Sequence, residues 1–263
     1  MALLCYSRNL IKGSASCPND YVVVISNPQK DKKNLRSSAY MNVMSLNSNL
    51  PLSVFSHEFG HVFANLADEY TPARVPEGSK NCVKNCEDFN DLGDCFKGCS
   101  ESDYYRASDS SVMRTLSVNE FKEFNEYLIS KELKKYPNKG LKTTGLVVSD
   151  FDKQEKCNQE YILVELEFNN SEFKLINKSL EKGCYSQENY LNNTRYVFSV
   201  KNKNNFTLNS SINPGLIFVD GMENNQTFGN VFQKNFSRIY LTLPSRDSDE
   251  LNIYETLPSG DKK

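Results

Sequence analysis

Apolar positions along the chain change their period near residue 140. Between Val54 and Leu66 they fall at mixed three- and four-residue spacing: Val54, Phe55, Phe59, Val62, Phe63 and Leu66. That spacing predicts a helix buried on much of its circumference. Pro51 suits a first helical turn, and Asn47 to Asn49 offer capping oxygens just before it. Upstream, the run Tyr21-Val-Val-Val-Ile25 predicts a buried strand, and Ser38 to Met44 predicts a second strand. Phe121, Phe124, Leu128 and Leu133, flanked by Lys and Glu, predict another helix over Phe121 to Tyr136. Pro137-Asn-Lys-Gly140 ends it and marks the expected domain boundary. Beyond that the period becomes two. Strands are predicted over Tyr161 to Phe168, Arg195 to Val200, Gly215 to Val219 and Arg238 to Leu243, separated by Asn, Gly and Pro turns. Short strands joined in this way suggest a β-sandwich.

The first helix carries chemistry. The chain has only two histidines, His57 and His61, and both lie on it with Glu58 between them. Random placement would give that spacing roughly once in a hundred times, before the Glu is required. Residues i and i+4 share a helical face, so both imidazoles can reach one ion. Glu58 follows the first of them and can take a proton from a water activated by the metal. A buried helix with two imidazoles and a carboxylate needs a reason, because unpaired polar groups in a core are costly. A bound zinc ion is the reason we expect.

Zinc in a catalytic site takes three protein ligands. With no third His, the remaining one must be Asp, Glu, Cys or Tyr. Asp68 and Glu69 are the nearest candidates. Asp68 lies about 10 Å beyond His61 along a continuous helix, too far to share an ion. The helix must therefore end, and Asn65 tolerates the left-handed conformation that ends helices. The chain can then turn back with Asp68. This spacing prefers Asp68, and Glu69 stays open as the alternative.

The stretch His57-Glu-Phe-Gly-His-Val-Phe-Ala-Asn-Leu-Ala-Asp-Glu-Tyr70 resembles the signature of the M64 metallopeptidases, the immunoglobulin-A peptidase group. Asn65 stands where that family usually has Gly. A second segment, Tyr105-Arg-Ala-Ser-Asp-Ser-Ser-Val-Met113-Arg114, resembles the family's Y-R-P-S-x-x-S-x-M-R, with Ala107 in place of Pro. The resemblance covers roughly residues 17 to 130. It implies a metzincin-like fold in which Met113 lies beneath the zinc as an apolar floor, the Met-turn. It also implies that the strand before the zinc helix edges the substrate cleft. The fold class that follows is α+β, with a metzincin-like zinc peptidase domain over residues 1–140 and an all-β, sandwich-like domain over 141–263. Tyr70, Tyr104 and Tyr105 are candidate donors to the oxyanion of the reaction. Arg114 is either a partner for Asp68 or Glu69 behind the metal or an ordinary surface arginine.

Composition narrows the setting. Across 263 residues, 38% hydrophobic and 11% aromatic content is enough for real cores. A net charge of −2 points to neither nucleic acid nor an anionic membrane surface as partner. No apolar run approaches transmembrane length, and the first residues turn polar too soon for a signal peptide. The eight cysteines nevertheless argue for an oxidising, extracellular or cell-surface setting: Cys5, Cys17, Cys82, Cys86, Cys95, Cys99, Cys157 and Cys184. Nested bridges, Cys82 with Cys99 and Cys86 with Cys95, would staple two short helical turns in the loop after the zinc helix. A four-cysteine zinc site is the alternative. Cys157 and Cys184 could bridge the C-terminal half. Seven N-x-S/T sequons, at Asn169, Asn177, Asn192, Asn205, Asn209, Asn225 and Asn235, fall in that half and none before it. They read as glycosylation acceptors or as chance triplets in an Asn- and Ser-rich segment.

The expected activity is zinc-dependent hydrolysis of peptide bonds in a protein or peptide substrate. His57, His61 and Asp68 would hold Zn²⁺, and Glu58 would act as base. Two other classes stay open. One is a surface or secreted binding glycoprotein with a vestigial peptidase domain. The other is a zinc hydrolase of non-peptide amides. Oligomeric state is not legible.

Overall fold

The computed structural model describes residues 1–16, 19–28, 35–135, 159–184, 196–201, 207–224, 226–245 and 250–255. Cys17, Cys157, Asn192, Asn205, Asn225 and the Pro137–Gly140 boundary lie outside them. The described chain is mixed α+β, dominated by sheet, with three α-helices: α1 (Arg8–Ser14), α2 (Ser53–Ala64) and α3 (Glu123–Leu133).

The strand expected over Ser38 to Met44 is two strands. β2 (Ser37–Tyr40) and β3 (Val43–Asn47) form a hairpin that turns through Met41, whose φ of 57° lies in the left-handed region. β1 (Val22–Ser26) runs parallel to β3. It is not buried throughout: every second residue faces solvent and Ile25 is 70% exposed, because β1 is the outer strand of its sheet. Helix α2 begins at Ser53 with no side-chain cap. The Asn47 side chain is used instead within its own loop, accepting from the Asn49 N–H at 2.9 Å.

After α2 come a short 3₁₀ turn at Cys86–Phe89 and the hairpin β4 (Phe96–Cys99) and β5 (Glu101–Arg106). The disulfides here are Cys82–Cys99 and Cys86–Cys95. Cys86–Cys95 joins the 3₁₀ turn to the residue before β4 and Cys82–Cys99 joins the segment before that turn to the end of β4, so two helical turns are not what they staple, and their sulfurs are not free to hold a metal. Cys184 is also disulfide-bonded, while Cys5 carries a free thiol.

The C-terminal half contributes β6 (Gln159–Asn169), β7 (Glu172–Gly183), β8 (Tyr196–Lys201), β9 (Thr207–Ile212), β10 (Leu216–Glu223), β11 (Gln226–Gln233), β12 (Phe236–Pro244) and β13 (Glu250–Glu255). Two three-stranded antiparallel sheets, β12-β6-β7 and β13-β8-β9, share one core built from Ile162, Val164, Leu166, Phe168, Tyr196, Phe198, Val200, Ile239 and Leu241. Alternation along β6 and β12 puts these side chains on the common face.

Hairpin β10–β11 leaves this pair of sheets. Its base is closed by the Lys234 N–H donating to Gly215 O at 2.6 Å. It then joins the N-terminal strands in a five-stranded sheet of order β1-β3-β2-β10-β11. β10 pairs antiparallel with β2, matching Ile217 to Tyr40, Phe218 to Ala39, Val219 to Ser38 and Asp220 to Ser37. A division of the chain at 140/141 therefore separates strands that share one sheet. Helix α2 packs on this sheet through a core of Ala39, Met44, Leu46, Val54, Val62, Leu116, Leu216, Phe218 and Val231. Burying Leu216, Phe218 and Val231 contributes roughly 1.5–3 kcal/mol each. Helix α1, capped by Ser7, closes the other side: Ile11 and Ala15 pack on Val43, Tyr161 and Leu163, and Arg8 and Lys12 pair with Glu181.

Candidate metal centre

Helix α2 presents His57, Glu58 and His61 to the interior, and all three are buried. It stops at Asn65, which is left-handed (φ 50°, ψ 39°) with its N–H on His61 O at 3.1 Å. The reversal puts Leu66 O 2.6 Å from His61 Nδ1. Val112 O lies 2.8 Å from His57 Nδ1. A carbonyl oxygen only accepts, so in both rings Nδ1 carries the donated proton. Each neutral ring then presents a bare lone pair at Nε2.

Those two lone-pair nitrogens are 3.1 Å apart. Asp68 Oδ1 is 3.2 Å from His57 Nε2 and 3.3 Å from His61 Nε2. A fourth group joins them: Asp220, on β10, places Oδ1 3.4 Å from His57 Nε2 and Oδ2 3.6 Å from His61 Nε2. Ligands about 2.0–2.1 Å from a tetrahedral ion are separated by roughly 3.3 Å along the tetrahedron's edges. The three separations among the two Nε2 atoms and Asp68 Oδ1 lie close to that value, and Asp220 turns a different oxygen to each imidazole. All four ligand atoms lie within 4.8 Å of one another, and all four side chains are fully buried. Both oxygens of Asp68 and Oδ2 of Asp220 receive no hydrogen bond of good geometry. Lone pairs from four groups converging in a dry space are destabilising unless a positive charge sits among them.

Electrostatics agree. Burial alone would lower both histidines, but the adjacent carboxylates of Asp220 and Asp68 outweigh it, holding His57 well above its ordinary value and His61 at about 9. Burial would raise Asp220, yet His57 and His61 hold it below the usual carboxylate range. Two imidazolium rings facing each other at 3.1 Å repel. One divalent cation neutralises the same carboxylates without that repulsion, and the donor set of two imidazoles and two carboxylates fits it.

Glu58 stands apart from the ligands. Both of its oxygens lack a hydrogen-bond partner among the described residues. Burial first, then the charge of Asp220, pushes its carboxyl well above the ordinary range. Glu69 is not in the cluster. Its carboxylate accepts from Ser111 Oγ, from Asn125 Nδ2 at 2.8 Å and from Asn81 Nδ2 at 3.3 Å. Asn81 also clasps Ala67 through both backbone groups, at 2.7 and 2.9 Å. Together these bonds fix the segment that delivers Asp68. Arg114 donates to the backbone carbonyl of Glu69 at 3.3 Å, not to either carboxylate.

Met113 is fully buried in a turn closed by the Arg114 N–H on Ser111 O at 3.0 Å. It packs against α2 at Gly60, and the preceding Val112 orients His57. Of the three tyrosines, Tyr70 reaches the cluster and donates to Asp220 Oδ1. Tyr104 packs beside Val75 and Cys82, with the Lys84 ammonium over its ring. Tyr105 packs in the core around Phe89 and Leu66.

Asp220 is the residue that sequence reasoning missed. The apolar run predicts its strand only to Val219, whereas β10 continues through Glu223. A usable signal was present: one carboxylate in the apolar run Leu216-Ile-Phe-Val-Asp-Gly needs a partner if the run is buried. Gly229, its cross-strand neighbour, completes the arrangement. A Cβ there would overlap Tyr70 Oη, Asp220 Oδ1 and Val219 O.

No family model, curated protein or solved structure matches the chain.

Proposed function

We propose that the chain is a zinc-dependent endopeptidase of metzincin-like character, with His57, His61 and Asp68 as the working metal ligands. The observation that carries this reading is the near-tetrahedral convergence of lone pairs next to Glu58, a buried carboxyl with no partner of its own. Four protein ligands and full burial also describe a structural metal site. Glu58 favours the hydrolase, since a structural site has no use for a costly unpartnered carboxyl beside its ligands.

His57, His61 and Asp68 would hold a zinc ion here, which would supply Lewis acidity toward a carbonyl and a water. Val112 O and Leu66 O hold the two imidazoles in the tautomer that binds the ion. Glu58, kept out of bulk water, takes the proton of the attacking water and passes it to the leaving nitrogen; its raised affinity for protons suits both halves of that transfer. Tyr70 Oη, next to the ligands, is the donor for the developing oxyanion. Met113 and Gly60 form the apolar floor. The two disulfides fit an oxidising, extracellular setting, and no helix among the described residues is long and apolar enough to cross a membrane. The sheets β12-β6-β7 and β13-β8-β9 serve as the accessory part.

The test is incubation of the zinc-loaded chain with an unfolded protein, with and without a chelator. Cleavage that the chelator abolishes and added zinc restores is the expected result. Cleavage indifferent to the chelator rejects the reading.

A further inference from the structure

The metal cluster is closed, and one element closes it. Asp220 supplies the fourth ligand-type group, where a catalytic zinc site keeps an open position. The strand that carries it, β10, lies along β2, residue against residue from Ser37 to Tyr40. Without the hairpin, β2 would present a row of unpaired backbone groups beside the ligands, a template for any extended chain. Phe218, two residues before Asp220, stacks on the His61 ring with centroids 4.0 Å apart and planes 16° from parallel. Thr227 Oγ1 accepts from the Leu116 N–H at 2.8 Å, tying the hairpin to the segment that follows Met113. Gly229 keeps the space that the Asp220 carboxylate and the Tyr70 hydroxyl share. The hairpin is an excursion between β9 and β12, so it can move without dismantling either three-stranded sheet.

We infer that hairpin β10–β11 is an internal inhibitor. It occupies the strand-edge groove of an extended peptide substrate while Asp220 takes the metal position at which the reaction occurs. This rests on the hydrolase reading above. The chain as described is then latent, and withdrawal of the hairpin activates it. The hairpin also shows how the substrate lies: extended, antiparallel to β2, with alternate side chains directed at the ligand helix, as Phe218 is. No covalent bond is made or broken in the switch, which exchanges one metal ligand for another. The Asp220 carboxylate leaves, its place is taken by water, and Tyr70 Oη is freed to donate elsewhere.

The experiment uses the full chain loaded with Co²⁺, whose visible absorption reports the coordination sphere, and acetohydroxamate as the probe. The wild-type spectrum should stay unchanged at hydroxamate concentrations that fully shift that of Asp220→Ala. Gly229→Ala, which forces the carboxylate and Tyr70 apart, should become responsive as well. Casein cleavage by the zinc forms gives the second readout. A minor open state separated by a few kcal/mol is populated at ~0.1–10%; Asp220→Ala, which removes the hairpin's hold on the metal and on Tyr70, should raise that population and cleave about 10- to 1,000-fold faster than wild type. A wild-type cobalt spectrum that responds to hydroxamate as the variant does overturns the inference. Equal cleavage by wild type and Asp220→Ala also overturns it, while leaving the hydrolase reading intact. If neither form cleaves but only Asp220→Ala responds to hydroxamate, the plug at the metal stands and the hydrolase reading falls.

Discussion

Gly60 and Met113 close on each other across the floor of the metal centre: a Cβ built on Gly60 would lie 2.7 Å from Met113 Sδ and 3.0 Å from the Phe121 ring. The helix that bears both imidazoles can thus lie directly on the methionine turn, whose Val112 carbonyl orients His57. Alanine at 60 would gain about 0.5–1 kcal/mol of helix preference and cost ~1–3 kcal/mol in overpacking, because Met113 is fully buried and has nowhere to go. Gly60→Ala should therefore destabilise. Met113→Ala should cost ~2–5 kcal/mol alone, and the double variant should lose less than the sum by more than about 0.5 kcal/mol. Urea midpoints of the four proteins measure this, and strict additivity would show that the two residues do not share the space.

Metal content is the most direct check on the cluster. Dialysed protein should retain about one zinc per chain, and His61→Ala should lose most of it. Full retention by that variant would place the metal elsewhere.

Glu58→Gln should keep its zinc and its folded spectrum and lose cleavage by several orders of magnitude, since an amide cannot take the proton of water. The comparison is best made in the Asp220→Ala background, where the fourth ligand-type carboxylate is absent. Near-normal turnover there would reject Glu58 as the base.

Asp68 and Glu69 are adjacent and should behave differently. Asp68→Ala should weaken zinc affinity sharply with little change in the metal-free fold. Glu69→Ala should leave the ligands in place but strand Ser111, Asn125 and Asn81, at a cost of ~1–3 kcal/mol for each buried group left unsatisfied. Isothermal titration with zinc and thermal melts of the apo proteins separate the two effects, and an exchange of these outcomes would reassign the third ligand to Glu69.

Stability should fall with rising pH in the metal-free protein and stay level in the zinc form. In the apo protein the histidines bind protons more tightly folded than unfolded, His61 at about 9. The folded state holds more protons, so their stabilisation is complete below the unfolded value near pH 6.5 and is lost as pH rises toward 9. Glu58, also raised, acts in the same direction, while Asp220, lowered, matters only in acid. The zinc form has its positive charge from the metal and should keep its melting temperature over that range. Zinc affinity should rise with pH because the ion displaces protons. A chelated sample whose melting temperature is flat from pH 7 to 9 would contradict this (melts at fixed ionic strength, chelator against zinc).

What could be read from the chain was what local spacing determines. Two imidazoles four residues apart share a helical face whatever surrounds them, and Asn65 ends the helix because its short polar side chain tolerates the left-handed conformation. The four cysteines between 82 and 99 pair as nested bridges because short loops leave few alternatives. Period-two alternation marks β6 and β12, and short apolar runs mark β8 and β10. It did not mark β7 and β11, which carry exposed apolar residues such as Leu175, Leu180 and Phe232 and so hide their alternation. It also could not split Ser38–Met44 into a hairpin, because the turn uses Met41 and Asn42 and no glycine or proline.

Which strand lies beside which is a long-range matter, and the site depended on it. Tyr70 and Asp220 are 150 residues apart and meet only because β10 adds to β2. A strand's backbone will accept any partner of suitable length, so alternation names the buried face without naming the neighbour. The competition between joining the sandwich core and joining the sheet beneath α2 is decided by where Leu216, Phe218 and Val231 find their complementary surface. The helix that carries both imidazoles is a local property of twelve residues. The arrival of Asp220 beside those imidazoles belongs to the tertiary fold, because it takes the whole sheet to carry one carboxylate there.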